Sequence, residues 1–260
     1  MRRRGRSYGY GFGLSSRPSG AGPVVISDDR TGLTSEVYTD TDSALTLSGS
    51  NITAFKDQSG NAYDYTHTAE GTVWTRSTSV LLNAKNTAVP GGDYTRYLTA
   101  VGVTVASLFG ATGETGTIVA VARCDDVSAT RYLFTQASPA HIRIETAAGP
   151  NIVFRFNNSG SGNVTVSRSI TTTKFHLIIA RWNGTNFYLS VDGGAEDSAA
   201  GTTPVATTSR VSIGGDGGTA GFWRNGLAHL RTYNVCKTPT QVANLVSYFN
   251  SRYGTFPVTP

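Results

Sequence analysis

The sequence predicts an all-β protein: an antiparallel sandwich or jelly roll with one short C-terminal helix and an extended N-terminal arm. Three observations predict it. Only 15% of the 260 residues are charged, with 30 Gly and a single Met, a composition far from the Leu, Ala, Glu and Lys of a helical bundle. Hydrophobic residues reach 38% and include 3 Trp, 12 Tyr and 11 Phe, enough to fill a sizeable core and exclude disorder for most of the chain. Finally, short alternating or apolar runs recur between clusters of turn residues, as antiparallel sheets require.

The arm comes first, residues 1–22. Arg2, Arg3, Arg4, Arg6 and Arg17 lie here without a single acid, and setting them aside leaves the body with 17 basic and 17 acidic residues. The net charge of +5 therefore belongs to the arm. A neutral body argues against a nucleic-acid-binding domain, which would cluster Lys and Arg on its folded surface. After the arginines, Tyr8, Tyr10, Phe12 and Leu14 alternate with glycine and serine. That is a strand with large side chains on one face and almost nothing on the other, which suits a peptide that docks on a partner. A basic, glycine-rich tail is the plainer alternative. No apolar run follows the arginines and no stretch is long enough to span a membrane, so ordinary export and membrane insertion are not expected.

The body spans 23–254, followed by a tail at 255–260. Its clearest strands are Thr117–Ala122, Ile152–Phe156, Phe175–Trp182, Phe187–Val191, Arg210–Ile213 and Leu227–Tyr233. Asn183-Gly184 between two strong strands predicts a hairpin. Near the end, Thr238 is placed to cap a helix, Pro239 suits its first position and Gln241 completes a capping box. Val242, Leu245, Val246 and Phe249 then share a face, and Gly254 ends the helix. Cys124 and Cys236 each end an apolar alternating run, where a small buried or half-buried thiol is the plain reading. His67, His141, His176 and His229 are scattered, without zinc-site spacing; His176 and His229 read as half-exposed strand residues. Trp74, Trp182 and Trp223 read as core.

These elements together resemble the laminin G-like, concanavalin A-like jelly-roll superfamily, most of all the variant found in bacteriophage and bacterial surface proteins. The resemblance covers roughly 34–254. It rests on TDTDSALTLSGSNITAFKDQSGNAYDYT at 39–66, with its Asp57-x-Ser59-Gly60-Asn61 motif and Phe55 where the family usually has Trp. It rests also on the hairpin FHLIIARWNGTNFYLSVDGG and on the close NGLAHLRTYNVCKTPTQVANLVSYFNSRYG. The family hosts lectins, hydrolases, adhesion modules and structural parts, so function must be read from sites.

Laminarinase-like enzymes on this fold carry two glutamates on one strand as Glu-x-Asp-x-x-Glu. The five glutamates here, Glu36, Glu70, Glu114, Glu145 and Glu196, show no such pair, so no catalytic residue and no enzyme activity are expected. No cofactor is expected. Calcium is the one metal the sequence would accommodate, through the oxygens of Asp57, Ser59 and Asn61, against the plainer reading of a tight turn. For glycans, Tyr63 and Tyr65 after that turn offer rings for stacking, with Asp57 and Asn61 for directional bonds; ordinary packing is the alternative. The resemblance and the arm together imply a bacteriophage virion protein made in the host cytoplasm. It would be a capsid, neck or tail decoration or adhesion module anchored to other virion proteins by the arm, with host-surface polysaccharide as a partner of the body. The rival reading is a free carbohydrate-binding or carbohydrate-active protein.

Overall fold

The computed structural model describes residues 28–67, 74–90, 97–136, 141–147, 149–158, 162–202, 210–215, 221–224 and 226–259. The residues expected to anchor a partner, Arg2, Arg3, Arg4, Arg6, Tyr8, Tyr10, Phe12 and Leu14, lie outside them. Seventeen strands are present among the described residues. The first six are β1 (Leu33–Tyr38), β2 (Leu45–Ser48), β3 (Asn51–Phe55), β4 (Tyr65–His67), β5 (Trp74–Leu82) and β6 (Lys85–Val89). Next come β7 (Leu98–Thr104), β8 (Gly116–Arg123), β9 (Arg131–Gln136), β10 (His141–Ala147), β11 (Asn151–Asn158) and β12 (Gly162–Ser169). The last are β13 (Phe175–Trp182), β14 (Asn186–Val191), β15 (Asp197–Ala200), β16 (Arg210–Ile213) and β17 (Leu227–Tyr233). Two helices are α1 (Val105–Phe109) and α2 (Pro239–Tyr253).

All pairings between these strands are antiparallel, and they form two layers. The back layer runs β1-β17-β8-β13-β14-β15. The front layer runs β2-β3-β4-β7-β16-β9-β10-β11-β12. The β5–β6 hairpin joins them, pairing with β3 at one edge and β17 at the other. This is the sandwich that the turn spacing predicts. Between the layers, Ile118, Ala120 and Ala122 of β8 and Ile178, Ala180 and Trp182 of β13 meet Ile144, Phe154 and Phe156 of the front sheet.

The alternate residues of the back sheet are buried too. Val119, Val121, Leu177 and Ile179 pack against Leu245, Phe249 and Tyr253 of α2. That second covered face is why β8 and β13 read as nearly continuous apolar runs, whereas a half-exposed antiparallel strand would alternate. Helix α2 forms as its residues predict, with the Thr238–Gln241 capping box made in both directions and Pro239 in the first turn. One detail differs: Val246 is half-buried, and Tyr253 fills the fourth place on the packed face. The short α1, with its own Thr104–Ser107 capping box, was not expected from the sequence. Among the described residues, no helix is long and apolar enough to cross a membrane.

The structure also corrects the reading of two histidines: α2 covers His229, whereas His176, opposite Ala122 in the register, lies on the side of β13 turned between the layers. His176 and His229 are fully buried rather than half-exposed. His176 bridges Asp192 and the Thr171 carbonyl, each at 2.7 Å. The three tryptophans are core residues, as expected. Strands β8 and β17 are antiparallel neighbours, with Leu227 opposite Ala122 and Tyr233 opposite Thr117. Cys124 and Cys236 therefore follow opposite ends of the sheet, and both are free thiols.

Candidate functional site

The Asp57 motif is a turn held by its own backbone. Asp57 Oδ1 accepts from the Glu36 N–H at 2.8 Å and the Ser59 N–H at 3.1 Å. Its Oδ2 accepts from the Ser59 hydroxyl at 2.6 Å and the Tyr63 N–H at 3.2 Å. The Asn61 side-chain amide donates to the Thr34 carbonyl at 2.9 Å, and Gly60 supplies the positive φ of 99° that the turn needs. Both carboxylate oxygens are thus occupied by donors that a cation would have to displace. Among the described residues, no three His, Cys, Asp or Glu side chains cluster as a metal site would require. Asp57→Ala should destabilise the protein by about 1–3 kcal/mol, because the Glu36 N–H loses its acceptor at a buried position. Thermal melting with calcium and with EDTA should coincide; a calcium-dependent shift lost in the variant would restore the metal reading.

The two candidate stacking rings part company. Tyr63 is half-buried against the core. Tyr65 is fully buried, and desolvation pushes its phenol above the ordinary tyrosine range. The ring of Tyr65 is core and offers no face to a sugar. Its strand continues the front sheet between β3 and β7, and period two turns that side chain inward.

What the sheet places together is a polar row that sequence reading missed. On the front sheet, Phe134, Ile144, Phe154 and Ile213 face the core. The register then sets Thr99, Ser212, Thr135, Arg143, Arg155 and Thr165 side by side on the other face, each the direct partner of the next across six strands; the first three are buried and the last three reach solvent. The adjoining row contains Tyr132 and Glu145, which are also paired across their strands.

Glu145 sits between the two arginines. Arg155 Nε is 2.9 Å from its Oε1, and Arg143 Nη1 is 3.7 Å from its Oε2. Arg143 also stands over the Tyr132 ring, 5.2 Å from its centroid. Burial raises the Glu145 pKa, and the two arginines only partly oppose it. Oε2 of Glu145 and Oγ1 of Thr99 are buried without a hydrogen-bond partner. Two cations around one carboxylate, flanked by hydroxyls, leave a site that favours hydroxyl-rich neutral or anionic ligands over cations. The arginine in each of the runs HIRIE and VFRF was the available signal, because a charge between alternating apolar residues lies on the outer face of a sheet.

A family model described as the concanavalin A-like lectin/glucanases superfamily matches residues 95–243, more than half of the chain. Among curated proteins, none matches the sequence. Several solved structures share the fold. Domain 4 of AbnA, an extracellular arabinanase of Geobacillus stearothermophilus solved in complex with arabinotriose, has a TM-score of 0.59 at 14% identity, covering 82% of this chain and 98% of its own. Trypanosoma rangeli sialidase in complex with the inhibitor DANA gives a TM-score of 0.58 at 15% identity, over 83% of this chain and 33% of the sialidase. The binding domain of botulinum neurotoxin serotype D gives 0.60 at 10% identity, over 86% of this chain and 54% of that one. This chain thus corresponds to about a third of the sialidase and half of the toxin domain. At these identities the likeness is one of fold, a lectin-like fold found in glycosidases, carbohydrate-bound domains and toxin binding domains.

Proposed function

Because this chain belongs to the concanavalin A-like lectin/glucanases superfamily, we propose that it is a noncatalytic glycan-recognition module that binds on the outer face of its front sheet. The observation that carries this reading is the solvent-reaching end of the row, Arg143, Arg155 and Thr165, brought into line across three adjacent strands. Hydroxyls and guanidinium groups on a rigid sheet supply directional bonds to sugar hydroxyls at little ordering cost. The likeness to an arabinanase domain bound to arabinotriose, over nearly that domain's whole length, supports the ligand class. The noncatalytic part of the reading is supported by the row's strands, which contain one acidic residue, Glu145. Glycoside hydrolysis ordinarily takes two carboxylates.

Glycan-array binding followed by titration calorimetry tests the proposal. Arg155→Gln and, separately, Arg143→Gln should each weaken the best glycan at least tenfold while the fold stays intact by circular dichroism. Each variant leaves Glu145 one arginine. Unchanged affinity in both would remove the front face as the site, and turnover of the glycan would remove the noncatalytic reading.

A narrower form of the reading makes the module a bacteriophage virion component, made in the host cytoplasm and held to the particle by residues 1–22. The arm's own pattern favours it, four arginines followed by Tyr8, Tyr10, Phe12 and Leu14 at every second position. Deleting 1–22 should leave melting and glycan affinity unchanged yet abolish incorporation, read as copy number by mass spectrometry of purified particles. A truncated body incorporated at normal copy number would end this form of the reading.

A further inference from the structure

On the opposite side of the sandwich, the N-terminal half of α2 leaves a groove of about 380 Å3 against the turn between β14 and β15. That volume is in the range of small-molecule sites, about 300–1,000 Å3. Val242, Ala243 and Val246 form an aliphatic wall, and Gly193 and Gly194 face them. Gly193 keeps the gap narrow but open: its φ is +72°, and a Cβ there would come 2.8 Å from Val246 Cγ1.

Three polar side chains complete the lining: Ser247, whose hydroxyl already donates to the Ala243 carbonyl at 2.9 Å, Ser190 and Glu196. Ser190 is buried, and its Oγ has no hydrogen-bond partner. A buried hydroxyl without a partner is uncommon and asks for a reason. Glu196 is the one charged residue among the lining residues. Arg181 holds its carboxylate through both oxygens, with Nε 2.7 Å from Oε1 and Nη2 on Oε2. Arg181 is itself fixed over the Tyr188 ring, 4.0 Å from the centroid. The Glu196 oxygens are therefore oriented, their charge is balanced, and lone pairs remain to accept from a ligand.

The groove thus offers an apolar wall, one hydroxyl donor and one carboxylate acceptor. An acetamido group presents the complement of all three: a methyl, a carbonyl oxygen and an amide N–H. We propose that the groove between α2 and the β14–β15 turn binds the acetamido group of an N-acetylated amino sugar. The methyl packs on Val242 and Val246, the carbonyl accepts from Ser190, and the N–H donates to Glu196. The balanced Glu196–Arg181 pair disfavours anionic ligands and leaves no gain in net charge for cationic ones. The ligand class rests on the glycan-recognition reading, but the place does not, since the front-sheet row lies on the other layer.

Saturation-transfer NMR on the full chain tests this, with N-acetylglucosamine and N-acetylgalactosamine as probes and glucose and glucosamine as controls. The acetylated sugars should bind at least fivefold more tightly than either control, with the strongest transfer at the acetyl methyl. Ser190→Ala should weaken them at least fivefold yet melt no lower than wild type, because the hydroxyl it removes has no partner in the fold. Val246→Asp, which places a charge at the methyl, should do the same to binding. Arg155→Gln should leave these signals unchanged. Equal binding of acetylated and parent sugars, transfer absent from the methyl, or affinity that survives both groove variants would overturn the inference. If Arg155→Gln alone abolishes acetyl-sugar binding, this inference falls and the front-sheet reading stands. If array binding ignores Arg155→Gln while Ser190→Ala removes the acetyl-sugar signal, the front-sheet reading falls and this one stands.

Discussion

Glu36→Ala should cost about 3–5 kcal/mol of folding stability, the usual range when one partner of a buried ion pair is removed. Arg231 is 0% exposed. Its Nε donates to Glu36 Oε1 at 2.7 Å, and its other nitrogens reach Asp28 at 2.5 and 3.1 Å. Arg30 reaches the second Glu36 oxygen at 2.8 Å. Truncating Glu36 strips a buried guanidinium of one of its two carboxylates and leaves His229 Nε2–H without an acceptor. Burial opposes the Glu36 charge, but His229 and Arg231 outweigh it and hold the carboxyl at about 2.

The same cluster makes stability fall with acid. His229 Nε2 lies 2.9 Å from Glu36 Oε1 and its Nδ1 lies 2.9 Å from the Tyr253 hydroxyl. A neutral ring satisfies both, donating to Glu36 and accepting from Tyr253. Burial, with Arg231 nearby, lowers the His229 pKa to about 4. The unfolded chain takes up this proton near pH 6.5, whereas the folded chain refuses it until about pH 4. Stability present above pH 6.5 is therefore lost as pH falls to about 4, on the order of 3 kcal/mol. Glu36 extends the loss from its ordinary 4.5 down to about 2. Urea unfolding at pH 7, 5.5 and 4 measures the slope. His229→Gln should flatten it between pH 6.5 and 4 whatever it does at pH 7; a variant with an undiminished slope would place the acid sensitivity elsewhere.

Neither this cluster nor the front-sheet row was legible in the sequence, for one physical reason. The hairpin at Asn183-Gly184 and the caps of α2 are local: Asn183 Oδ1 accepts from the N–H groups of Thr185 and Asn186, and Thr238 and Gln241 bond each other within one turn. Such contacts are written in neighbouring residues. His229, by contrast, lies between Ala228 and Leu230 in an alternating run, which by itself predicts an outward-facing polar residue. It does face outward from the sandwich core, but α2, formed by the residues that follow, covers that face. Tyr65 fails as a sugar platform for a related reason, since its side of β4 is fixed by pairing with β3 and β7. Thr99 and Arg143 come into line only because β7, β16, β9 and β10 pair in a particular register, across more than a hundred residues of chain. Residue types reveal each strand; the register that assembles a site is non-local.

Trp182→Ala should be as damaging as the loss of Glu36, at about 3–5 kcal/mol. The indole is fully buried at the end of β13, edge-on to Phe109 at 4.8 Å and tilted against Phe154 at 5.9 Å. Its Nε1–H donates to the Gly113 carbonyl at 2.9 Å, so truncation leaves a cavity and removes a hydrogen bond together. The residue opposite Trp182 in the register is Gly116, where a Cβ would stand 2.3 Å from the indole Cζ2. The glycine is required by the ring, not by the backbone, because Gly116 is absent from the positive-φ positions. Gly116→Ala should therefore cost about 1–3 kcal/mol in the wild-type background through overpacking. In a Trp182→Ala background the same change should be nearly neutral, or should recover part of the loss by filling space. Equilibrium denaturation of the two single variants and the double variant gives their coupling, expected at about 1–3 kcal/mol. Strict additivity would mean that the indole does not occupy the space over Gly116 and that the packing at this end of the sandwich differs from that described.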